Sequence, residues 1–144
     1  MNYGFSTVDI EIIFASDLSV SKLLKPVRFT MPEGDAYEIP YCQPTDFASV
    51  PKAMWGAPLF LIPTGWWALP SIGHDAAFQN TLLKINPDGS RTPANLTESQ
   101  CNTLLLQMMR AIKPNPTAFE KLQMDAIYAG VTIGGWHAFI EDRR

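Results

Sequence analysis

The spacing of apolar residues changes along this chain, and this change constrains its fold more than any other feature. In Val8–Phe14 and again in Lys25–Pro32, apolar and polar residues alternate, as they do in β-strands with one buried face. Glu33–Asp35 has the composition of a turn, and a further short strand is predicted at Tyr37–Ile39. We therefore predict a small, mostly antiparallel sheet in the N-terminal third.

Helical spacing replaces this alternation in the remainder of the chain. Pro70 favours the first turn of a helix that reaches about Leu83. Thr97 and Gln100 have the spacing of a capping box, which predicts the start of a helix whose apolar face extends to about Ile112. Strands followed by helices, without alternation between them, predict an α+β protein.

Two further segments of the C-terminal part predict where a helix begins or regular structure is interrupted. The turn-rich segment Asn86–Pro93 is predicted to be a loop. Asn115–Pro116 is predicted to begin a third helix, which Gly130 and Gly134–Gly135 should interrupt before a last short piece. We expect a single domain over residues 1–144, with a strand-rich part at 1–45, a motif and an apolar loop at 46–69, and a helical part at 70–144.

Composition excludes several classes of protein. With 47% apolar and 17% charged residues, the chain is expected to be folded and globular. Its net charge is −3, and no basic stripe of the kind that binds nucleic acid is present in the sequence. Cys42 and Cys101 lack a metal-type spacing, and the N-terminus lacks the layout of a signal peptide. These features indicate reduced thiols in a protein made in a cytoplasm.

The uncharged segment Ala53–Gly73 is about long enough to cross a bilayer. Its repeated prolines and glycines would break a helix, and unpaired backbone is not tolerated in lipid, so we expect no membrane span. An apolar loop of this kind either folds over the core or contacts a partner. The predicted interface residues are its large side chains, Trp55, Phe60, Trp66 and Trp67.

Candidate chemistry lies in the segment GHDAAFQN. His74 and Asp75 project about 100° apart on a helix, so they can flank one pocket. His74 shares its helix face with Phe78 and Leu82, which predicts that the imidazole points inward. Asp75 is expected near the positive end of its helix, where a carboxylate is stabilised.

The segment TDFASVP, Thr45–Pro51, adds a second set of polar side chains. Asp46 can close an Asx turn, and Ser49 can cap a short turn before the proline. Alternatively, Asp46 and His74 belong to one acid/base or metal-ligand site. For each residue taken singly, the structural role is the better interpretation.

Together, these segments resemble a family of phage and prophage proteins known as domain of unknown function 1353. The resemblance covers roughly Tyr37–Tyr128 and is carried by TDFASVPKAMW, GHDAAFQN and TESQCNTLLLQMMRAI. It places Asp46 and Ser49 on the family's first motif, and His74 and Asp75 on its second. The family's third motif contains Ala-Asp, where this chain has Cys101–Asn102. An amide is neither a general acid nor a general base, and it binds cations less well than a carboxylate.

The resemblance implies a phage protein, for which we favour a non-catalytic role. The chain would be a virion or tail-associated component, made in the host cytoplasm, that contacts other phage proteins or copies of itself. Asp46, Ser49, His74 and Asn102 would form a structural polar pocket, with no cofactor and no metal. The alternative is a metal-dependent or acid/base hydrolase of peptidoglycan or a peptide, in which Asp46, His74 and Asp75 act and His74 with Asp46 would hold a divalent metal. A third possibility is a small-molecule binder that counters host defence.

Overall fold

The computed structural model describes residues 3–7, 12–14, 21–41, 43–45 and 65–142. Within these ranges it confirms the α+β class, with two antiparallel sheets and three helices. The elements are β1 (Gly4–Phe5), β2 (Ile12–Phe14), β3 (Ser21–Leu23), β4 (Val27–Thr30), β5 (Ala36–Ile39), β6 (Pro44–Thr45), α1 (Ala68–Phe78), β7 (Leu83–Ile85), β8 (Arg91–Pro93), α2 (Glu98–Ile112) and α3 (Ala118–Asp142).

The larger sheet has the strand order β1-β4-β5-β7-β8, and the smaller sheet has the order β2-β3-β6. Strands β4 and β5 confirm the predicted alternation, because Val27 and Phe29 are buried while Arg28 between them is exposed. The predicted turn joins them. The Met31 backbone N–H donates to the Asp35 carbonyl, and Gly34 adopts a φ of 105°, which glycine tolerates without strain.

Two predictions between α1 and α2 are wrong. Helix α1 ends at Phe78 rather than near Leu83, and Asn80, with a φ of 58°, turns the chain away from the helix axis. The predicted loop at 86–93 contains strand β8, which pairs with β7 across a turn closed by Asn86 and Ser90. Strand β7 in turn pairs with β5. Strands of three residues are too short to show a period, so pairing with a distant strand decides their conformation.

The boundaries of α2 confirm the predicted capping box. The Gln100 backbone N–H donates to Thr97 Oγ1 at 3.2 Å, and the Thr97 backbone N–H donates to Gln100 Oε1 at 2.9 Å. The helix ends at Ile112, as the spacing predicts. These two bonds satisfy N–H groups that have no partner within the helix itself, which is why the start of α2 is fixed by local sequence.

Helix α3 begins close to the predicted position but continues further than expected. A second capping box precedes it, in which Thr117 and Glu120 exchange side-chain-to-backbone hydrogen bonds of 2.9 and 3.1 Å. Its backbone is helical without interruption to Asp142, so the predicted break at Gly130 and Gly134–Gly135 is wrong. A glycine within a helix costs about 1 kcal/mol relative to alanine, which weakens a long helix without ending it.

The core has two parts, and α2 belongs to both. Helices α1 and α2 pack on one face of the five-stranded sheet, where Phe29, Ile39 and Ile72 are completely buried. Helix α3 packs on the other side of α2. This second cluster consists of Trp67, Leu105, Met109, Met124, Ile127 and Val131.

Within the described residues, no helix is long and apolar enough to span a membrane.

Candidate functional site

Helix α1 places three polar side chains inside the protein. Ser71, His74 and Asp75 are 0%, 2% and 7% exposed. They are buried because α1 packs against α2 and against strands of both sheets, so that every residue from Leu69 to Phe78 is covered. Polar groups in such a position lose their hydration and require hydrogen-bond partners. The centre of α1 is therefore the candidate site.

The clearest contact in this site joins His74 to Asn102. His74 Nε2 lies 3.0 Å from Asn102 Oδ1, and Asn102 is 5% exposed. An amide oxygen only accepts, so Nε2 carries the hydrogen and donates it. The Phe78 ring packs on the imidazole, with ring centroids 4.2 Å apart. The imidazole is thus held in one orientation by an amide on one side and an aromatic ring on another.

This contact unites two members of the predicted polar pocket. The inward orientation of His74 agrees with its predicted sharing of a face with Phe78. Asp46 and Ser49 lie outside the described residues, so the other half of the pocket stays a prediction. The same holds for the predicted roles of Asp46 in a turn or in catalysis.

Asp75 lies where the sequence did not predict it. Helix α1 begins at Ala68 and ends at Phe78, so Asp75 lies in its last turn, and the prediction that it stands near the positive helix end is wrong. The negative end of a helix disfavours a carboxylate. Burial of Asp75 therefore follows from the covered position of α1 as a whole.

Ser71 is the site residue that sequence reasoning missed. Its hydroxyl is fully buried and has no hydrogen-bond partner in the part of the chain that the structure describes. Ser71 lies three residues before His74 and four before Asp75, which places it one helical turn away on the same side. The spacing Ser-x-x-His-Asp was the signal that could have identified it.

The predicted interface residues that the structure describes lie in different environments. Trp67 is 2% exposed and packs between α2 and α3, so its prediction as an exposed contact residue is wrong. Its ring folds back over Gly65 and leaves no room there for a Cβ atom. Trp66 is half-buried, and its indole N–H donates to Gln123 Oε1 at 3.1 Å. Trp55 and Phe60 lie outside the described residues.

The hydrolase alternative requires a set of side chains that could hold a metal ion. Among the side chains that the structure describes, no three His, Cys, Asp or Glu residues converge as a metal ion requires. The ligand set predicted for that alternative includes Asp46, which is not among them. Whether a metal binds to His74 and Asp46 therefore stays a prediction.

The comparisons with known proteins identify no relative. No family model, no curated protein and no solved structure matches this chain. The resemblance to the phage family, and the functions that it implies, consequently remain predictions that rest on the motifs themselves.

Proposed function

We propose that this protein is a non-catalytic bacteriophage component, associated with the virion or its tail, that works through protein–protein contacts. The observation that carries the proposal is the buried pair of His74 and Asn102, with Nε2 and Oδ1 3.0 Å apart. In this pair an amide occupies the position where the family motif implies a carboxylate.

The chemistry of the pair favours a structural role. A catalytic histidine is commonly oriented by a carboxylate, which also stabilises the imidazolium that forms when the ring takes up a proton. The Asn102 amide orients the ring but offers no negative charge. His74 is moreover 2% exposed, which leaves little access for a substrate. The pair supplies a buried hydrogen bond between α1 and α2, and such bonds help to fix one arrangement of a core.

The exposed side chains of the protein favour a function in protein–protein contacts. Tyr41, Phe119 and Leu122 are open to solvent, with exposed fractions of 64%, 44% and 58%, and Phe119 and Leu122 lie one turn apart on α3. Neighbouring exposed apolar side chains, such as Phe119 and Leu122, are the kind of surface that meets a partner.

A hydrolase is the second candidate, and one observation favours it. Ser71, His74 and Asp75 place a hydroxyl, an imidazole and a carboxyl within one turn of a buried helix. Groups of this kind are costly to bury, and enzymes retain them for acid/base chemistry. The two candidates make opposite predictions for metal content, turnover and location.

Three measurements on the same preparation separate the candidates. Elemental analysis of the purified protein is expected to find no stoichiometric zinc or manganese, and a chelator should leave the melting temperature unchanged. Peptidoglycan and peptide substrates should remain intact with the wild type and with Asn102→Asp, which restores the carboxylate of the family motif. Antibodies should detect the protein in particles purified from a culture that produces the phage.

The opposite results would overturn the proposal. Stoichiometric metal whose removal leaves the fold intact but abolishes hydrolysis would make the protein an enzyme. A gain of turnover in Asn102→Asp would indicate a degenerate active site. As a control, His74→Ala is expected to lower the melting temperature without changing any reaction, because it removes the bond to Asn102.

A further inference from the structure

Helix α3 has two apolar faces, and the described residues cover only one of them fully. The first face, with Met124, Ile127 and Val131, packs in the cluster between α2 and α3. We call the second face the outer stripe of α3, and it consists of Phe119, Leu122, Ala126 and Ala129. Three of its four residues are exposed, and Ala126 is half-buried at the border with the first face.

The spacing of the outer stripe is that of a two-helix seam. Its residues follow one another at intervals of three, four and three, which is the repeat of apolar positions in helices that pack side by side. None of the four residues is charged. In the sequence the same spacing continues to Ile133 and Trp136, and α3 is about 38 Å long for its 25 residues. A partner that fits this stripe is itself a helix.

Gly130 adds an independent observation beside the stripe. A Cβ atom at this position would meet nothing within 4 Å, so packing within the chain does not require a glycine. Glycine in an exposed helix interior costs about 1 kcal/mol relative to alanine. A missing side chain here lowers the surface of α3 and allows a second helix to approach closely.

The order of large and small residues in the stripe identifies the partner. Positions 119 and 129 lie symmetrically about position 124, and so do positions 122 and 126. A second α3 that runs antiparallel about a two-fold axis level with residue 124 therefore places Phe119 over Ala129 and Leu122 over Ala126. Large side chains over small ones let facing layers interdigitate. A single two-fold axis therefore accounts for both pairs of facing residues.

We propose that the outer stripe of α3 is a homodimer interface, in which α3 packs antiparallel against α3 of a second copy. The rim carries Lys121 and Asp125, of opposite charge, so that two copies together bring no net charge to the seam. Closed two-fold dimers are the commonest assemblies of identical chains. This inference rests on the proposed function, since it names a copy of the chain as a partner in those contacts.

The first test measures the mass of the purified protein in solution. The wild type is expected at twice the chain mass of 16.0 kDa, and Leu122→Glu at 16.0 kDa, because the glutamate buries a charge in the seam. Thr103→Glu is the matched control, since Thr103 is exposed on α2 outside the stripe. It should remain dimeric. A wild type that is monomeric at every concentration, or a Leu122→Glu protein that remains dimeric, would refute the interface.

The second test determines the direction of pairing. Leu122→Cys and Ala126→Cys are oxidised separately and as a mixture, with the wild type as the control for its two native cysteines. Antiparallel pairing predicts a cross-linked dimer that joins the two variants in the mixture. Cross-linking of each variant with itself alone would show a parallel seam and overturn the proposed axis.

The dimer and the proposed function fail in different ways. A dimeric protein that is absent from purified particles would leave the interface in place and remove the virion role. A protein that is present in particles but monomeric in solution would keep the role and refute the interface.

Discussion

Gly73 lies on α1 at a close contact with α2. A Cβ atom at this position would lie 2.6 Å from both Cε and Sδ of Met108, and 3.3 Å from Cδ1 of Ile39. Met108 and Ile39 are fully buried, so neither has free space into which to move. The glycine thus leaves room for the end of the Met108 side chain, which an added methyl group would displace within a packed core. Its neighbour His74 uses the same close approach to reach Asn102.

Replacement of Gly73 should therefore destabilise the protein. Gly73→Ala is expected to lower the free energy of unfolding by about 1–3 kcal/mol, because the added methyl group overpacks the contact between α1 and α2. Denaturant titration measures this change. Thr103→Ala is the control, since Thr103 is exposed on α2 outside the outer stripe of α3, and it should change stability by about 0.5 kcal/mol or less. Equal stability of the two variants would contradict the close packing at Gly73.

Single residues of the site were predictable where a local pattern fixed them. The spacing of His74 and Phe78 showed that the imidazole points inward, and both are buried in contact with each other. The burial of Asp75 and Trp67 was not predictable from local patterns. Asp75 is covered because α1 packs against α2 and against strands of both sheets, and Trp67 because it packs between α2 and α3, so both depend on the tertiary structure.

Helices and strands were likewise predictable where neighbouring residues determine them, and not predictable where distant contacts do. The starts of α2 and α3 were predictable because capping boxes lie within four consecutive residues. Strands β7 and β8 were not, because three residues carry little periodicity and β5, with which β7 pairs, is more than forty residues earlier in the sequence. Continuity of α3 through its glycines was not predictable either, because glycine weakens a helix without necessarily ending it.

The start of α3 should also be sensitive to acid. The hydrogen bond from Lys113, at 2.8 Å, is the main cause that lowers the pKa of Glu120, and the backbone N–H of Thr117 adds to it. The fold therefore stabilises the ionised carboxylate. Its contribution to stability is present above the ordinary carboxyl pKa and is lost as the pH falls through the lower pKa of the folded state.

This sign predicts a difference between the wild type and Glu120→Gln. At neutral pH the wild type should have the higher melting temperature, and the difference should shrink as the pH is lowered from about 6 to about 2. Glutamine keeps the acceptor of the capping box, so the comparison isolates the charge. Lys113→Met should reproduce most of the pH-dependent change. A difference that is independent of pH would show that the ion pair does not contribute.

At the scale of the whole molecule, the switch in apolar spacing predicted the α+β class because it reports which residues face a core. It did not predict that strands from both halves of the chain share one sheet, since that depends on non-local pairing. The smaller sheet and α1 are further joined by a buried side chain, Gln43, which is 1% exposed. Its own carbonyl accepts from the Leu23 backbone N–H at the end of β3.

The side chain of Gln43 connects the smaller sheet to the end of α1. Its Nε2 donates to the Pro44 carbonyl at 2.8 Å and to Gln79 Oε1 at 3.1 Å, while its Oε1 accepts from the Thr81 hydroxyl. Both amide hydrogens and the amide oxygen are therefore paired inside the protein. A buried amide satisfied in this way specifies one relative position of the elements that it joins.

Gln43→Met tests this connection, because methionine has a similar length but forms none of these hydrogen bonds. It should lower the free energy of unfolding by about 1–3 kcal/mol, since the hydrogen bonds of the Gln43 amide to Pro44, Gln79 and Thr81 are all lost. Denaturant titration measures the change. Thr103→Met, which also replaces a polar side chain by methionine but at an exposed position of α2, is the control and should change stability by about 0.5 kcal/mol or less.

The double variant of Gln43→Met with Thr81→Val then measures the coupling between the two positions. If the amide and the hydroxyl stabilise the protein through their mutual hydrogen bond, the two changes should be less than additive, because the second removes a partner that the first has already lost. Strict additivity would show that the hydroxyl and the amide act independently, and that Gln43 stabilises the protein through its bonds to Pro44 and Gln79 or through packing.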